Sequence, residues 1–309
     1  MTSLIIAEKP SAALKIANSL ADGKVEAHNN KKVSYYEITH NKKKLAIACA
    51  VGHLYNLAEK EKKGWTYPVF DIEWKPSYET SKSSAFTKPY LEVIRKLSKD
   101  ATEIYNACDL DIEGETIFKN ILNFACHKKD AKRMKFSTTT KEDLVNAYEN
   151  ADAHINFKLA EAGETRHFLD HYWGINLSRA LTLSVKSATG MFKILSSGRV
   201  QGPALKILAE RELQIKSFKP VPYWQVELFT KDFNAFHEED KIFDKAKAEE
   251  IFQKANVKKA TISSVEKQRF KQDPPHPFDL TALQLEAYRQ LGISPKETLS
   301  ICQDLYTNS

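Results

Sequence analysis

An acidic string lies between a short apolar run and an amphipathic segment, and this order restricts the fold more than any other feature. Residues 103–107 predict a strand, whereas residues 114–125 have apolar positions at helical spacing. Acids at alternate positions of an extended segment point the same way, and converging carboxylates repel one another unless a cation lies among them. The string therefore predicts a cation site at the end of a strand. Its alternate acids are Asp109, Asp111 and Glu113.

The first 140 residues alternate between strand and helix patterns. Leu4–Ala7 and Leu45–Val51 are apolar runs that predict strands, and Ala12–Leu20 lies between them with helical spacing. This alternation favours a parallel sheet covered by helices, which is the α/β class. Ligands of such sheets bind beyond the carboxyl ends of the strands. If the first strand and the acidic strand are neighbours, Glu8 and Lys9 join the acids at that edge.

Carboxylate oxygens are the ligands that this edge offers. They suit Mg²⁺, which commonly keeps several waters and bridges to phosphate, and we therefore expect Mg²⁺ as the cofactor. The alternative is an exposed acidic loop that holds no ion, which is common for a lone Asp-x-Asp pair but rarer for the longer string. The candidate metal ligands are Glu8, Asp109, Asp111 and Glu113.

The length of 309 residues and the changes of pattern along the chain predict a multidomain protein. Helical spacing dominates the region after the first 140 residues, with separate helices expected over residues 157–172 and 178–189. Strand patterns follow at residues 224–229 and 261–265. The run Pro274-Pro275-His276-Pro277 is typical of a linker. We expect domains at residues 1–140, 141–217, 218–275 and 276–309.

Basic residues concentrate in one segment. The whole chain has a net charge of +6, and residues 179–219 carry eight basic against two acidic residues, so this segment accounts for the entire surplus. A polyanion-binding surface requires such a local density, although a solvated helix face would show it too.

The composition disfavours two kinds of protein. No apolar run approaches the roughly 20 residues of a membrane span, and the short apolar start lacks the basic lead-in of a signal peptide. We therefore expect an intracellular protein of the cytoplasm or nucleoid with no membrane partner. The four cysteines form no Cys-x-x-Cys pair, which argues against a zinc site and favours buried reduced thiols.

The Glu8-Lys9 turn and the acidic string together resemble the Toprim domain, which type IA and type II topoisomerases, bacterial primases and some nucleases share. Other segments resemble the type IA DNA topoisomerases in particular, and they follow the order of that family over essentially the whole chain. One departure is Ile112, where many members have Arg. The matching segments are Ala50–Leu54, Met134–Thr140, Arg166 with Asp170, Gly174–Arg179, Ser197–Gln201 and Pro277–Thr281.

This resemblance implies a fold and a set of functional residues. The expected fold is multidomain α/β plus α: a Toprim domain with a Rossmann-like parallel sheet, a helical domain, the start of a β-containing arch, and the start of the helical domain that carries the family's nucleophile. The expected catalytic residues are Glu8, Lys9 and Asp111. The expected DNA-binding residues are His53, Arg166, His167, Asp170, Arg179, Ser197, Gly198, Arg199 and Gln201.

The resemblance also implies an activity. By the family's mechanism, a tyrosine attacks single-stranded DNA and stays joined to the 5′ phosphate until the 3′ hydroxyl reseals the strand, without ATP. Tyr306 matches a tyrosine at the end of a helix, so we expect the nucleophile to lie beyond Ser309. On its own, the chain is then expected to bind Mg²⁺ and single-stranded DNA without cutting. A second polypeptide that supplies the tyrosine is one further partner to consider.

Two alternatives stay open at this point. A Toprim nuclease or primase would hydrolyse or polymerise nucleic acid without a tyrosine, although Ser197–Gln201 and the final helices argue against it. A non-catalytic module would hold DNA and do nothing more. Metal-dependent hydrolysis or primer synthesis by the purified chain would favour the first alternative.

Overall fold

The computed structural model describes residues 2–30, 33–257 and 259–308, and it divides the chain into two compact units. The first unit is Met1–Phe218 and the second is Lys219–Ser309. Both helices and strands occur in each unit.

A six-stranded sheet forms the centre of the first unit, with the strand order β2-β3-β4-β1-β7-β8. Strand β1 pairs in parallel with both β4 and β7, and β7 pairs in parallel with β8. Strands β2 and β3 continue the sheet as antiparallel neighbours. The parallel core confirms the α/β prediction. The strands are β1 (Thr2–Ala7), β2 (Glu26–Asn30), β3 (Val33–His40), β4 (Lys43–Cys49), β7 (Ala101–Ala107) and β8 (Lys132–Arg133).

Helices cover both faces of this sheet. Leu4 and Ile6 of β1 belong to a core with α3 and α4, whereas Ile5 and Ala7 belong to a second core with α1 and α5. Because side chains alternate between the two faces of a strand, a strand that is buried on both faces is apolar at every position. That requirement explains the unbroken apolar run at the start of the chain. The helices are α1 (Pro10–Leu20), α3 (Lys88–Asp100), α4 (Ile112–Phe124) and α5 (Lys141–Glu149).

Three parallel strands end level with one another. In the sheet register, Ala7 of β1 lies beside Cys49 of β4 and Ala107 of β7. The first strand and the acidic strand are therefore hydrogen-bonded neighbours, and the residues that follow them meet at one edge. We call this the carboxyl edge.

A hairpin and a short helical stretch follow the end of β4. Strand β5 (Tyr55–Glu59) pairs antiparallel with β6 (Ile72–Pro76), and α2 (Ser77–Thr80) and a short 3₁₀ helix (Lys82–Thr87) come next. The hairpin was not predicted from the sequence.

Helix α6 (Phe157–Thr189) is continuous over 33 residues, so the prediction of two helices within residues 157–189 is wrong. Gly174 lowers the stability of a helix only modestly, so α6 continues through it. The Asn176 side chain does not cap the start of a second helix. Instead, Asn176 Oδ1 accepts a hydrogen bond from Val69 N at 2.6 Å, and its Nδ2 donates to Val69 O at 3.0 Å. The helix ends where Gly190 takes a left-handed conformation. Helix α7 (Gln201–Ser217) completes the first unit.

The second unit begins at Lys219 and is smaller. Its strands β9 (Glu227–Phe229) and β10 (Asn234–Phe236) form an antiparallel pair, and three helices follow. Residues 261–265 do not form the predicted strand, since they lie in irregular chain where Ile262 and Val265 are exposed. The helices are α8 (Lys245–Ala255), α9 (Leu280–Leu291) and α10 (Pro295–Asn308). None of the helices in the described ranges of the chain combines the length and the apolar character that a bilayer span requires.

Candidate metal and nucleic-acid site

Glu8, Lys9 and Asp109 meet at the carboxyl edge. Lys9 Nζ donates a hydrogen bond to Asp109 Oδ2 at 2.9 Å and lies 3.7 Å from Glu8 Oε1. Burial and the charges of Asp109 and Asp111 raise the pKa of Glu8, even though Lys9 acts in the opposite direction. The hydrogen bond to Asp109 raises the pKa of Lys9, whose side chain is 58% exposed. The edge thus holds a charged ammonium group among carboxylates, and it is open to solvent.

Asp111 has a structural task as well as a position near this edge. It is the N-cap of α4, and its Oδ1 accepts a hydrogen bond from Gly114 N at 2.7 Å. The turn is tight, because a Cβ on Gly114 would lie 2.2 Å from the carbonyl oxygen of Asp109. The predicted alternation of three converging acids therefore stops at Asp111. Glu113 already lies in the first turn of the helix and contacts other side chains.

Arg133 of β8 stabilises the end of β7 and the residues that follow it. Its guanidinium donates hydrogen bonds to four carbonyl oxygens, and its Nε lies 2.6 Å from Glu115 Oε1. Both charged side chains are fully buried. Sequence reasoning missed this role, because no local pattern pairs Arg133 with Glu115. The carbonyl groups belong to Asn106, Cys108, Asp109 and Met134.

The donor set at the carboxyl edge fits the chemistry of Mg²⁺. The candidate ligands are all carboxylate oxygens, and burial together with the charges of Asp109 and Asp111 raises the pKa of Glu8. In the described ranges, two other groups of three side chains have ligand atoms within 4.8 Å of one another, and the predicted Mg²⁺ ligands do not form such a group. Mg²⁺ usually binds one or two carboxylates directly and keeps several waters, so its ligand side chains need not form such a tight group. The predicted ligand set stays a prediction.

Three side chains meet at the start of α4, and we call them the histidine–glutamate cluster: His53, Glu113 and His167. Glu113 Oε2 lies 3.0 Å from His53 Nε2 and 2.9 Å from His167 Nε2. Burial raises the pKa of Glu113, but hydrogen bonds from His167 and His53 outweigh it, and the net shift is downward. Burial and the proximity of His167 lower the pKa of His53.

Two of the three predicted DNA-binding arginines, Arg166 and Arg199, share the carboxylate of Asp170, and Arg166 also contacts this cluster. Arg166 Nη1 lies 3.3 Å from Glu113 Oε1, and its Nε lies 3.8 Å from Asp170 Oδ2. Arg199 binds the same carboxylate with two nitrogens, at 2.6 and 3.3 Å. The hydrogen bond from Arg199 lowers the pKa of Asp170. Both arginine side chains are half exposed, and each is paired with an acid in the folded chain.

The segment before α7 is fixed along α6 by backbone contacts. Leu195 N donates to Thr182 Oγ1 at 3.0 Å, and Ser197 N donates to Ser178 Oγ at 2.9 Å. These bonds place Arg199 next to Asp170. Three predicted DNA-binding residues lie in this region. Ser197 contributes its backbone to these contacts, and Gly198 lies just before α7. Gln201 is the first residue of α7, and its side chain accepts a hydrogen bond from Ser196 Oγ.

Arg179, also predicted to bind DNA, is used within the fold. Its guanidinium forms an ion pair with Glu59 of the hairpin and donates to Thr66 O at 2.8 Å, and only 13% of the side chain is exposed. It joins α6 to the hairpin, and a DNA contact would require this pair to open. The hairpin was absent from the sequence prediction, which is why this partner was not foreseen.

Comparisons with known proteins agree with this arrangement. A family model described as "Toprim domain" matches residues 3–139, and one described as "DNA topoisomerase" matches residues 154–309, just over half of the chain. The chain belongs to the type IA DNA topoisomerase family.

Curated relatives and a solved structure show the same relationship. Proteins named "DNA topoisomerase 1" from Pyrococcus horikoshii and Methanocaldococcus jannaschii are both 48% identical to this chain, over 98% and 100% of its length and 45% and 40% of theirs. The full-length topoisomerase I of Thermotoga maritima is 25% identical with a TM-score of 0.62, and the match covers 98% of this chain and 46% of that one. The chain thus spans less than half the length of these topoisomerases.

Proposed function

We propose that the chain supplies the Toprim centre and a single-stranded DNA surface to a type IA topoisomerase that cleaves and reseals DNA through a 5′-phosphotyrosine without ATP. The observation that carries the proposal is the row of contacts from Arg199 through Asp170 and Arg166 to Glu113, next to the carboxyl edge. It provides cations for a phosphate backbone beside acids for a metal. DNA would be the partner and the cell interior the place of action.

The side chains of this row have distinct tasks in the proposed reaction. Lys9, which is charged and exposed, would stabilise the charge that develops on the scissile phosphate and deliver a proton to a leaving oxygen. Glu8 and Asp109 hold Lys9 in place. Mg²⁺ bound by Glu8, Asp109 and Asp111 would supply positive charge that keeps the broken end in position. Arg166 and Arg199 would bind flanking phosphates, for which a planar guanidinium is suited.

Binding of single-stranded DNA is the first test. A labelled oligonucleotide mixed with the chain and Mg²⁺ should be retarded on a native gel, and no adduct should survive on a denaturing gel run beside it. A denaturation-resistant adduct would show that a residue of this chain, such as the exposed Tyr306, is a nucleophile. Absence of retardation at low salt would contradict the proposal, and Mg²⁺-dependent hydrolysis would favour a Toprim nuclease instead.

Substitution of Arg199 by glutamine should weaken this binding and reduce its salt dependence. Each phosphate contact on a single strand contributes about 0.7 to the slope of log K against log salt concentration, because counterions are released. Loss of one contact should therefore reduce the slope by about that amount. The matched control is Lys99→Gln, which removes an exposed cation from the last turn of α3. Equal slopes for the wild type and both variants would show that Arg199 does not contact the backbone.

Glu8→Gln should have opposite effects on thermal stability with and without Mg²⁺. In EDTA, the Tm should rise, since the raised pKa of Glu8 shows that its charged form is disfavoured in the folded chain. Mg²⁺ should raise the Tm of the wild type by binding the folded state, but not that of the variant. Glu61→Gln, at an exposed acid of another segment, serves as the control. A Mg²⁺-induced rise of equal size in Glu8→Gln would exclude Glu8 as a ligand.

A further inference from the structure

The histidine–glutamate cluster brings together three ligand side chains that are far apart in sequence. His53 follows β4, Glu113 lies in the first turn of α4, and His167 lies on α6. The two imidazole Nε2 atoms lie 3.0 and 2.9 Å from one oxygen of Glu113, and all three ligand atoms lie within 4.8 Å of one another.

Each of the three ligands is fixed by contacts outside the cluster. The backbone carbonyl of His53 accepts a hydrogen bond from Ser77 Oγ at 2.7 Å. The ring of His167 packs edge-on against Trp74. The side chain of Glu113 is restrained through its second oxygen by Arg166. Because the ligands are already ordered, a cation would bind without the entropic cost of assembling the site.

The position of the cluster leaves it accessible. The side chains of His53, Glu113 and His167 are 26%, 36% and 28% exposed, so all three are partly buried and can still be reached by solvent. Nδ1 of His53 is buried and has no hydrogen-bond partner, which leaves Nε2 as the ring nitrogen that is directed at Glu113. One side of the cluster remains open for a further ligand.

We infer that the histidine–glutamate cluster is a Zn²⁺ site, with Nε2 of His53, Nε2 of His167 and a carboxylate oxygen of Glu113 as ligands and one open position for water or a phosphate oxygen. Two histidines and one glutamate with an open position form a known type of zinc site. Tetrahedral ligands at zinc-bond lengths lie about 3.3 Å apart, so the two distances from the histidine nitrogens to the Glu113 oxygen have to widen by only a few tenths of an ångström.

This site shares Glu113 with the ligand set that the sequence predicts for Mg²⁺, but its donor atoms are of a different kind. Mg²⁺ prefers oxygen ligands, whereas two imidazoles and one carboxylate suit Zn²⁺ and other first-row transition metals. The absence of a Cys-x-x-Cys pair argues only against zinc sites built from cysteine. The histidine site has no sequence signature, because 54 and 60 residues separate Glu113 from its two partners.

A second group of possible ligands, Glu26, His28 and Glu37, lies on the antiparallel pair β2–β3. Both of its carboxylates are exposed, and Glu37 Oε2 lies 3.6 Å from His28 Nε2. It is therefore a looser set, and it provides an internal comparison for the histidine–glutamate cluster.

The test is metal binding by the purified chain in the absence of DNA, which makes it independent of the proposed function. Zn²⁺ affinity would be measured by competition with a chromophoric chelator, and Co²⁺ would report tetrahedral coordination through its visible absorption. We expect one tight site that a large excess of Mg²⁺ does not displace. His53→Ala and His167→Ala should each weaken it by more than about 100-fold, since loss of an outer-shell partner alone costs 10–100-fold.

Matched controls separate this result from other causes. His276→Ala, at an exposed histidine of the linker, should leave the affinity unchanged, and His28→Ala should leave the tight site intact. If the variants of the cluster do not fold, diethylpyrocarbonate modification of the wild type still gives an answer, because Zn²⁺ should protect His53 and His167 selectively. The inference is overturned if Zn²⁺ protects neither histidine, if His28→Ala removes the tight site, or if the wild type has no site tighter than millimolar.

Discussion

Replacing Arg133 by methionine is expected to lower the free energy of unfolding of the first unit by about 3–5 kcal/mol. The substitution leaves Glu115 fully buried without its ionic partner, and four carbonyl oxygens each lose a hydrogen bond from the guanidinium. Removal of one member of a buried ion pair is costly because the remaining charge has no compensation. The measurement is urea unfolding followed by tryptophan fluorescence in a Trp224→Phe background, so that only tryptophans of the first unit report.

Two further variants show whether the loss of stability comes from burial of the ion pair. Lys60→Met breaks the exposed Lys60–Asp71 pair, and it should change the free energy of unfolding little, since exposed pairs contribute little. The double variant Arg133→Met/Glu115→Leu should recover part of the loss, because it removes the unpaired charge but does not restore the hydrogen bonds to the carbonyl groups. If Arg133→Met were no more harmful than Lys60→Met, the burial of the pair would be refuted.

Gly163→Ala is the second substitution with a large expected effect. A Cβ at this position would lie 1.9 Å from Thr116 Oγ1 and 2.8 Å from the carbonyl oxygen of Ile112. Helix α6 would have to move away from α4, and overpacking of this kind costs about 1–3 kcal/mol. The same movement would separate His167 from Glu113, which lie on these two helices.

The same helix provides the control. At Gly174 the nearest atom to a new Cβ is Ser197 O at 3.9 Å, which is an ordinary contact. Gly174→Ala should therefore stabilise α6 by about 0.5–1 kcal/mol, as alanine does in helix interiors. Urea unfolding of both variants gives opposite signs if the close approach of α4 and α6 depends on Gly163. A stabilising effect at both positions would mean that the helices are not in tight contact.

The carboxyl edge could be predicted from the sequence because its signals are local. Leu4–Ala7 is apolar at every position, as a strand buried on both faces requires, and Glu8 and Lys9 follow it directly. The acidic string comes directly after another strand. The neighbourhood of the two strands was a condition of the prediction, and the sheet register confirms it.

Other parts of the site depend on contacts between distant residues, and no periodicity reveals those. Arg133 and Glu115 are separate charged residues in the sequence, yet they pair in the core. The hairpin that binds Arg179 was missed, and so was the bond from Asn176 to Val69 that accompanies an unbroken α6. In each case a polar side chain has its partner more than 15 residues away, where only tertiary packing decides the pairing.

The unbroken course of α6 has a consequence for how the site responds to load. His167 and Arg179 lie twelve residues apart on this helix, or about 18 Å along its axis. One is attached to Glu113 at the carboxyl edge and the other to Glu59 in the hairpin. The helix is therefore held at two points along its length, and Arg166 and Asp170 lie close to the first of them. If the proposed function is right, a pull on DNA bound by Arg166 would be transmitted along α6 to Glu113, because no break in the helix between residues 157 and 189 would absorb it by bending.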